Sequence, residues 1–315
     1  MWPSPFFDKL AGAQRVLVAG AGGGFDVYAG LPLALTLMDQ GKTVHLANLS
    51  IVNLYTLDRE VWVEPGIARI TAATLGDDRY FPEGTLARWL ARHGLPDTVY
   101  ALPRTGVRPL RAAYRRLAKR LDLDAIVLVD GGTDILMRGD EAALGTPVED
   151  ATSLAAVNGT PVPTRLVACI GFGVDAYHGV NHVQVLENIA ALERAGGYLG
   201  AFSVPSQCRE ATLYRDAVAH AAANTPGRSS LVNGQIAAAL AGESGDLPLD
   251  RPSRETPLFV NPLMAMYFTF DLHTLAAQSL YLDRIRATDD MLQVSHLIDR
   301  YRDEVTPRPR TPFPH

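Results

Sequence analysis

Three times along this chain an uninterrupted apolar run ends in glycines and then an aspartate. RVLVA (15–19) leads into Gly22-Gly23-Gly24-Phe25-Asp26, AIVLV into Asp130-Gly131-Gly132-Thr133-Asp134, and RLVACI into Gly171-Phe172-Gly173-Val174-Asp175. Runs that are apolar at consecutive positions belong to strands buried on both faces, which occur in parallel sheets covered by helices. After the first junction, VYAGLPLALTLMDQ reads as a helix stopping at Gly41, and TVHLANLS as a second buried strand. Strand, glycine turn, helix and strand form a right-handed βαβ unit.

The alternation continues along the chain. EVWVEPGIARIT reads as short extended pieces broken at Pro65-Gly66, TLARWLARHG as a short helix, and DTVYALP as another strand. Val107, Leu110, Tyr114, Leu117 and Leu121 recur at three- and four-residue steps, one apolar helix face. Arg108, Arg111, Arg115, Arg116, Lys119 and Arg120 take its other faces, as a solvated surface or as an anion site. Further helices are expected over ATSLAAVN, VQVLENIAALERAG, EATLYRDAVAHAAAN, SLVNGQIAAALAG, 272–282 and 290–302. YLGAFSV reads as a strand, and PLFVNPLMAMYFTFD as an apolar segment of sheet core or dimer surface. The expected fold is one α/β domain over 1–305, a mostly parallel, Rossmann-like sheet with helices on both faces. The Pro-rich tail 306–315 is expected to be disordered.

Composition narrows the function classes. With 47% hydrophobic and 20% charged residues in 315, a sizeable core is available. The net charge of −5 argues against a nucleic-acid partner, which calls for a basic face. No run of 18 apolar residues offers a membrane helix, and the opening MWPSPFFDKLAGAQ lacks the features of a secretion signal. The two cysteines, Cys169 and Cys208, are too few for a disulfide scaffold. A cytoplasmic protein is expected.

In a parallel sheet all three glycine loops would emerge at the carboxyl edge, where ligands bind at a topological switch point. A dinucleotide fits poorly. Phe25 stands where G-x-G-x-x-G requires its third glycine, and the second strand ends in Asn48 where NAD needs an acidic ribose acceptor. The tripeptide Gly41-Lys42-Thr43 has Thr36 at the first glycine position of a Walker loop and follows a helix instead of a strand. Gly22–Asp26 and Asp130–Asp134 are similar to the S-G-G-x-D-S pyrophosphate loop, though both flanking serines are replaced.

Acidic density is the stronger signal. Asp130, Asp134, Asp140, Glu141, Glu149 and Asp150, with Arg138 among them, fall between residues 130 and 150. Converging carboxylates repel, and need a divalent cation, a hydroxyl-rich substrate, an ammonium group or an arginine to offset that repulsion. A solvated acidic loop is the plain alternative. Asp175, His178 and His182 would share one face if helical, a spacing compatible with metal ligation, while Gly179 between them and Asn181 as an N-cap point instead to a loop over 175–180. His178 also suits proton transfer or a structural role, and Tyr177 could stack on a base or sugar or belong to the core.

These loops, with LGTPVEDATSLAAV, AYHGVNHVQVLENIA, GGYLGAF and FVNPLMAMYF, resemble the prokaryotic family known as domain of unknown function 1152 from Val16 to about Arg302. The resemblance implies a single α/β domain and no assigned activity, so it supplies no catalytic residues. The reading that follows is of a hydrolase or group transferase acting at the carboxyl edge on a nucleotide-, nucleoside- or sugar-phosphate-like metabolite, with a place in specialised biosynthesis. The loop of Gly22, Gly23, Gly24 and Asp26 would bind its anionic part, and Asn48, Gly131, Gly132, Asp140, Glu141 and Tyr177 would also line the ligand site. Asp130, Asp134 and Asp175 would hold a Mg²⁺-type ion or sugar hydroxyls or act as base; His178 would carry a proton and Arg138 steady developing charge. The alternative is a non-catalytic metabolite sensor, signalling through a homodimer of helices 272–302.

Overall fold

The computed structural model describes residues 4–77, 79–225, 227–247 and 259–312. The strands are β1 (Arg15–Gly20), β2 (Thr43–Ser50), β3 (Trp62–Glu64), β4 (Ile67–Ile70), β5 (Val99–Pro103), β6 (Ala125–Gly131), β7 (Thr164–Ile170), β8 (Tyr198–Ser203), β9 (Gly245–Asp246), β10 (Phe259–Val260) and β11 (Met266–Asp271). Nine of them form one sheet in the order β3-β4-β5-β2-β1-β6-β7-β11-β8, while β9 and β10 pair separately.

The five central strands, β5-β2-β1-β6-β7, are parallel. β4 runs antiparallel to β5, and β11 antiparallel to β7. From β1 the chain steps outward to β2 and β5, then returns to the other side of β1 as β6. That reversal makes a switch point between β1 and β6, where a crevice opens at the carboxyl edge.

The helices are α1 (Pro5–Leu10), α2 (Asp26–Ala29), α3 (Leu31–Asp39), α4 (Pro82–Arg92), α5 (Val107–Leu121), α6 (Pro147–Asn158), α7 (His182–Arg194), α8 (Arg209–Asn224), α9 (Leu231–Leu240), α10 (Leu272–Gln278), α11 (Leu282–Ile285) and α12 (Met291–Glu304). They cover both faces because successive strand residues point to opposite sides. Leu17 and Ala19 of β1 join α5, α6, α7 and α10–α12 in one core, whereas Val16 and Val18 join α1–α4, α8 and α9 in the other. Helix starts carry their expected signals: Asn181, Ser230, Asp271 and Asp290 cap α7, α9, α10 and α12 by accepting a backbone N–H.

One local expectation is corrected. The helix after the first glycine loop is two, α2 and α3, separated at Gly30. The tail, as far as it is described, lies against the domain: Arg308 N–H donates to Asp140 O at 2.7 Å, and the Asn181 and Gln184 side chains donate to Thr311 O at 2.8 Å and Pro309 O at 3.2 Å. Positions 313–315, and the start of the apolar segment at 257–258, lie outside the described residues.

Candidate functional site

The three glycine–aspartate loops meet at the carboxyl edge of β1, β6 and β7. In the first, Gly23 and Gly24 take left-handed dihedrals (φ 87° and 61°), which turn the chain into α2 with Asp26 at its first position. Asp26 Oδ2 accepts from Gly22 N–H at 2.5 Å, closing the loop on itself. Neighbouring elements hold it in place: Ser153 Oγ of α6 donates to Ala21 O at 2.7 Å, and Asn233 Nδ2 of α9 donates to Phe25 O at 3.1 Å.

In the second loop, Asp130 Oδ2 accepts from Ile135 N–H at 3.3 Å. Asp134 Oδ2 accepts from both the N–H and the hydroxyl of Thr146, at 2.7 and 2.9 Å. The third loop sends Asp175 back to the second, where Oδ2 accepts from Thr133 N–H at 2.6 Å and its carboxylate packs against Gly132. A fifth carboxylate, Asp150, comes from the first turn of α6. It is 3% exposed, and its Oδ1 has no hydrogen-bond partner.

Asp26, Asp130 and Asp150 each present one oxygen, and these oxygens lie within 4.8 Å of one another. Gly22 permits the approach. A β-carbon there would stand 2.7 Å from Asp26 Oδ2 and 2.9 Å from Asp150 Oδ1. A hard divalent cation with oxygen ligands at 2.0–2.6 Å spaces opposed ligands by roughly 4–5 Å, so the group fits such an ion. The orphaned buried oxygen of Asp150 is the separate sign that something is wanted there.

The electrostatics agree. Burial pushes Asp26 up to about 7, opposed by the Gly22 N–H and reinforced by Asp134 and Glu149. Burial drives Asp130 and Asp150 well above the carboxylate range, and each is raised further by Asp134 and by the other members of the group. Asp175 is raised by burial and then by Asp134, against the Thr133 N–H. Asp134 is raised by burial, but the Thr146 donors and His178 pull it down. Without a cation these aspartates share protons; with one they ionise together.

The other expected site residues divide. Asn48 is wholly buried and donates to Gly24 O and Glu83 Oε1, both at 2.8 Å, so it positions the first loop. Arg138 borders a water-sized cavity shared with Asp134 and Asp150, and pairs with Asp140 at 3.2 Å. Asp140 and Glu141 face the tail: Arg308 pairs with both, and buried Glu141 also accepts from Arg138 N–H, Gly139 N–H and Asn188 Nδ2. Asp175, His178 and His182 do not share a helix face. Residues 174–178 form a 3₁₀ turn that ends at left-handed Gly179, and α7 starts afresh at His182, which stacks on Phe172. His178 is exposed at the rim, edge-on to Tyr177.

Sequence reasoning placed Asp150 in the acidic segment without assigning it a role, and passed over Glu83 and Tyr80. The signal for Asp150 was available: Pro147 followed by Glu149 and Asp150 is a helix-first-turn pattern. Tyr80 sits beside the first loop, its hydroxyl 3.0 Å from where a Gly24 β-carbon would lie, with the exposed Arg228 guanidinium 5.6 Å from its ring centre. Burial, followed by Glu83 and Asp26, raises the Tyr80 hydroxyl to about 12.

A family model described as "Protein of unknown function (DUF1152)" matches residues 62–302. That span includes Asp130, Asp134, Asp150 and Asp175, while Asp26 and its glycine loop precede it. No curated protein matches the chain.

Proposed function

The chain belongs to the DUF1152 family, and from its carboxylate pocket we propose that it is a divalent-cation-dependent enzyme, hydrolysing or transferring a group on a small phosphate-bearing metabolite. The observation that carries this reading is the convergence of Asp26, Asp130 and Asp150, with an unpartnered buried Asp150 oxygen, at the switch point of a Rossmann-like sheet. Phosphate alone would be repelled by so many carboxylates. A Mg²⁺-type ion would reverse the local charge, orient the phosphate and polarise it.

The protein's own groups would do the rest. Asp26, Asp130 and Asp150 would hold the cation, and the Gly22–Gly24 loop with Arg228 would receive the anionic part of the substrate. Asp134 and Asp175 are held rigidly by Thr146 and Thr133; the first would orient a nucleophile and the second confine the second loop. His178, solvent-accessible and electrically coupled to Asp134, would carry protons between the site and water.

The test is calorimetric titration with Mg²⁺ and Mn²⁺, then a screen of nucleotides and sugar phosphates for cation-dependent phosphate or group release. Saturable binding, and turnover falling roughly 10²–10⁴-fold in Asp134→Asn, support the reading. No cation binding at millimolar concentration removes it. Cation binding without turnover on any phosphate substrate would favour the non-catalytic sensor, which the depth of Asp130 and Asp150 also suits.

A further inference from the structure

A second charged cavity, of about 490 Å³, lies away from the carboxylates, between α5, α6, α10 and the end of α11. Arg111 and Arg115 of α5, Arg286, His273 and Asp283 supply its polar lining. Its charges do not balance. Elsewhere around α5, Arg108 pairs with Asp289, Arg120 with Glu64, and Arg116 donates to Pro65 O. Among the described residues, Arg111 and Arg115 meet only carbonyl oxygens at the end of α6: Arg111 Nη2 donates to Ala155 O at 3.3 Å, and Arg115 Nη2 to Gly159 O at 2.6 Å. Among the described residues, Asp283 is the only carboxylate in the lining, and its pair with Arg286 is an exposed one at 3.2 Å.

Capping the end of α6 accounts for those carbonyl contacts but not for a third guanidinium facing the same cavity. Arg111 also keeps a buried Nε with no acceptor, out of reach of the cavity, so its terminal nitrogens are the ones open to a ligand. That side chain packs closely on Gly159, where a β-carbon would stand 2.3 Å from Nε. Burial, then the like charges of Arg115 and Arg286, make the Arg111 cation harder to hold. A guanidinium does not shed its proton near neutral pH, so its charge persists beside those of Arg115 and Arg286 and favours an anion in the cavity.

We propose that this cavity is a binding site for a small phosphate-bearing molecule, held by Arg111, Arg115 and Arg286. Planar guanidinium forks match phosphate oxygens two at a time, and the cavity has room for a phosphorylated metabolite. The site is separate from the carboxylate pocket, and α6 joins them. Asp150 lies in its first turn and Gly159 follows its last, roughly 13 Å apart along the helix.

Inorganic pyrophosphate, titrated into protein stripped of metal on a chelating resin, tests the assignment, because without a cation the carboxylate pocket repels it. One saturable site per chain is expected, weakening with salt, with the melting temperature raised roughly 2–4 °C at tenfold excess over Kd. Arg286→Gln, an exposed change that leaves the ligand-free melting temperature in place, should weaken binding by roughly tenfold. Arg111→Gln/Arg115→Gln should abolish it, and Asp150→Asn should leave it intact. Absence of saturable binding overturns the proposal. So does wild-type affinity in both arginine variants, or loss of binding in Asp150→Asn. Citrate binding as tightly as pyrophosphate overturns the phosphate assignment.

Discussion

The Asp150 carboxylate lies directly over the α-carbon of Gly22, so that a β-carbon at residue 22 would stand 2.9 Å from Oδ1 and 3.3 Å from Oδ2. The same β-carbon would press on Asp26 Oδ2 at 2.7 Å. Gly22 thus sets the distance between two of the three carboxylates that converge. Its φ is not left-handed, so alanine is tolerated by the backbone and refused only by the carboxylates. Gly22→Ala should fold, and should weaken Mg²⁺ or Mn²⁺ binding by roughly 10–100-fold, the range seen when supports of metal ligands are disturbed. Calorimetry and a parallel melting curve separate the two effects; wild-type affinity would show that the pair does not form a cation site.

Asp150→Asn should act in opposite directions on stability and on binding. Its Oδ1 is buried without a partner, and burial and four neighbouring carboxylates oppose its charge. An amide of the same shape removes the repulsion, and its N–H groups find acceptors among those carboxylates. The metal-free variant should therefore be more stable than the native protein by about 1–2 kcal/mol, while cation affinity drops by roughly 100-fold or more. Denaturant unfolding in chelated buffer measures the first effect, and metal titration the second. A destabilised variant that still binds metal would make Asp150 a structural group.

The pH dependence of the metal-free protein should be inverted relative to ordinary acid denaturation. Asp26 rises on folding from 3.8 to about 7, and Asp130, Asp150 and Asp175 rise as well. A carboxyl raised by folding takes up protons as the chain folds. Its stabilising contribution is complete below the unfolded value and disappears as pH climbs through the folded one. For Asp26 that window runs from about 4 to about 7. Melting temperature in chelated buffer should fall between about pH 5 and pH 8, and millimolar Mg²⁺ should restore it at the upper end only. A curve that rises over this interval, or Mg²⁺ stabilisation equal at both ends, would contradict proton sharing in the pocket.

Much of this was legible in the sequence, and the exceptions have physical causes. The buried parallel strands announce themselves because RVLVA, AIVLV and RLVACI leave no polar face, and the glycines after them fix where the chain must turn. Asp26, Asp130, Asp134 and Asp175 could therefore be brought to one sheet edge before any coordinates. Asp150 was assigned no role because ATSLAAV reads as the helix on apolar pattern alone, while α6 starts earlier, at Pro147. The histidine spacing at 178 and 182 counts residues correctly but presumes one helix, and Gly179 with φ 85° ends it. The contacts of the tail are not legible in its composition, which is local, because the Glu141 carboxylate that Arg308 meets is 167 residues away.

Arg308 yields the last prediction. Glu141 is 0% exposed, and its carboxylate accepts from two backbone N–H groups, from Asn188 and from Arg308. Arg308 also pairs with Asp140 and Glu187, so one guanidinium closes the second loop, α7 and the tail together. Truncating it leaves a charge buried among neutral donors, which costs more than a surface pair, though less than an isolated buried ion because three donors remain. Arg308→Ala should destabilise the protein by about 2 kcal/mol, measured by denaturant unfolding. Arg308→Lys should recover only part of that, since an ammonium is a point charge that cannot fork between several carboxylates. Adding Glu141→Gln to Arg308→Ala should restore part of the loss by removing the stranded charge, although the amide nitrogen must then face an N–H donor such as that of Gly139. If the double variant is no more stable than Arg308→Ala, the tail is held by its backbone contacts and not by this charge.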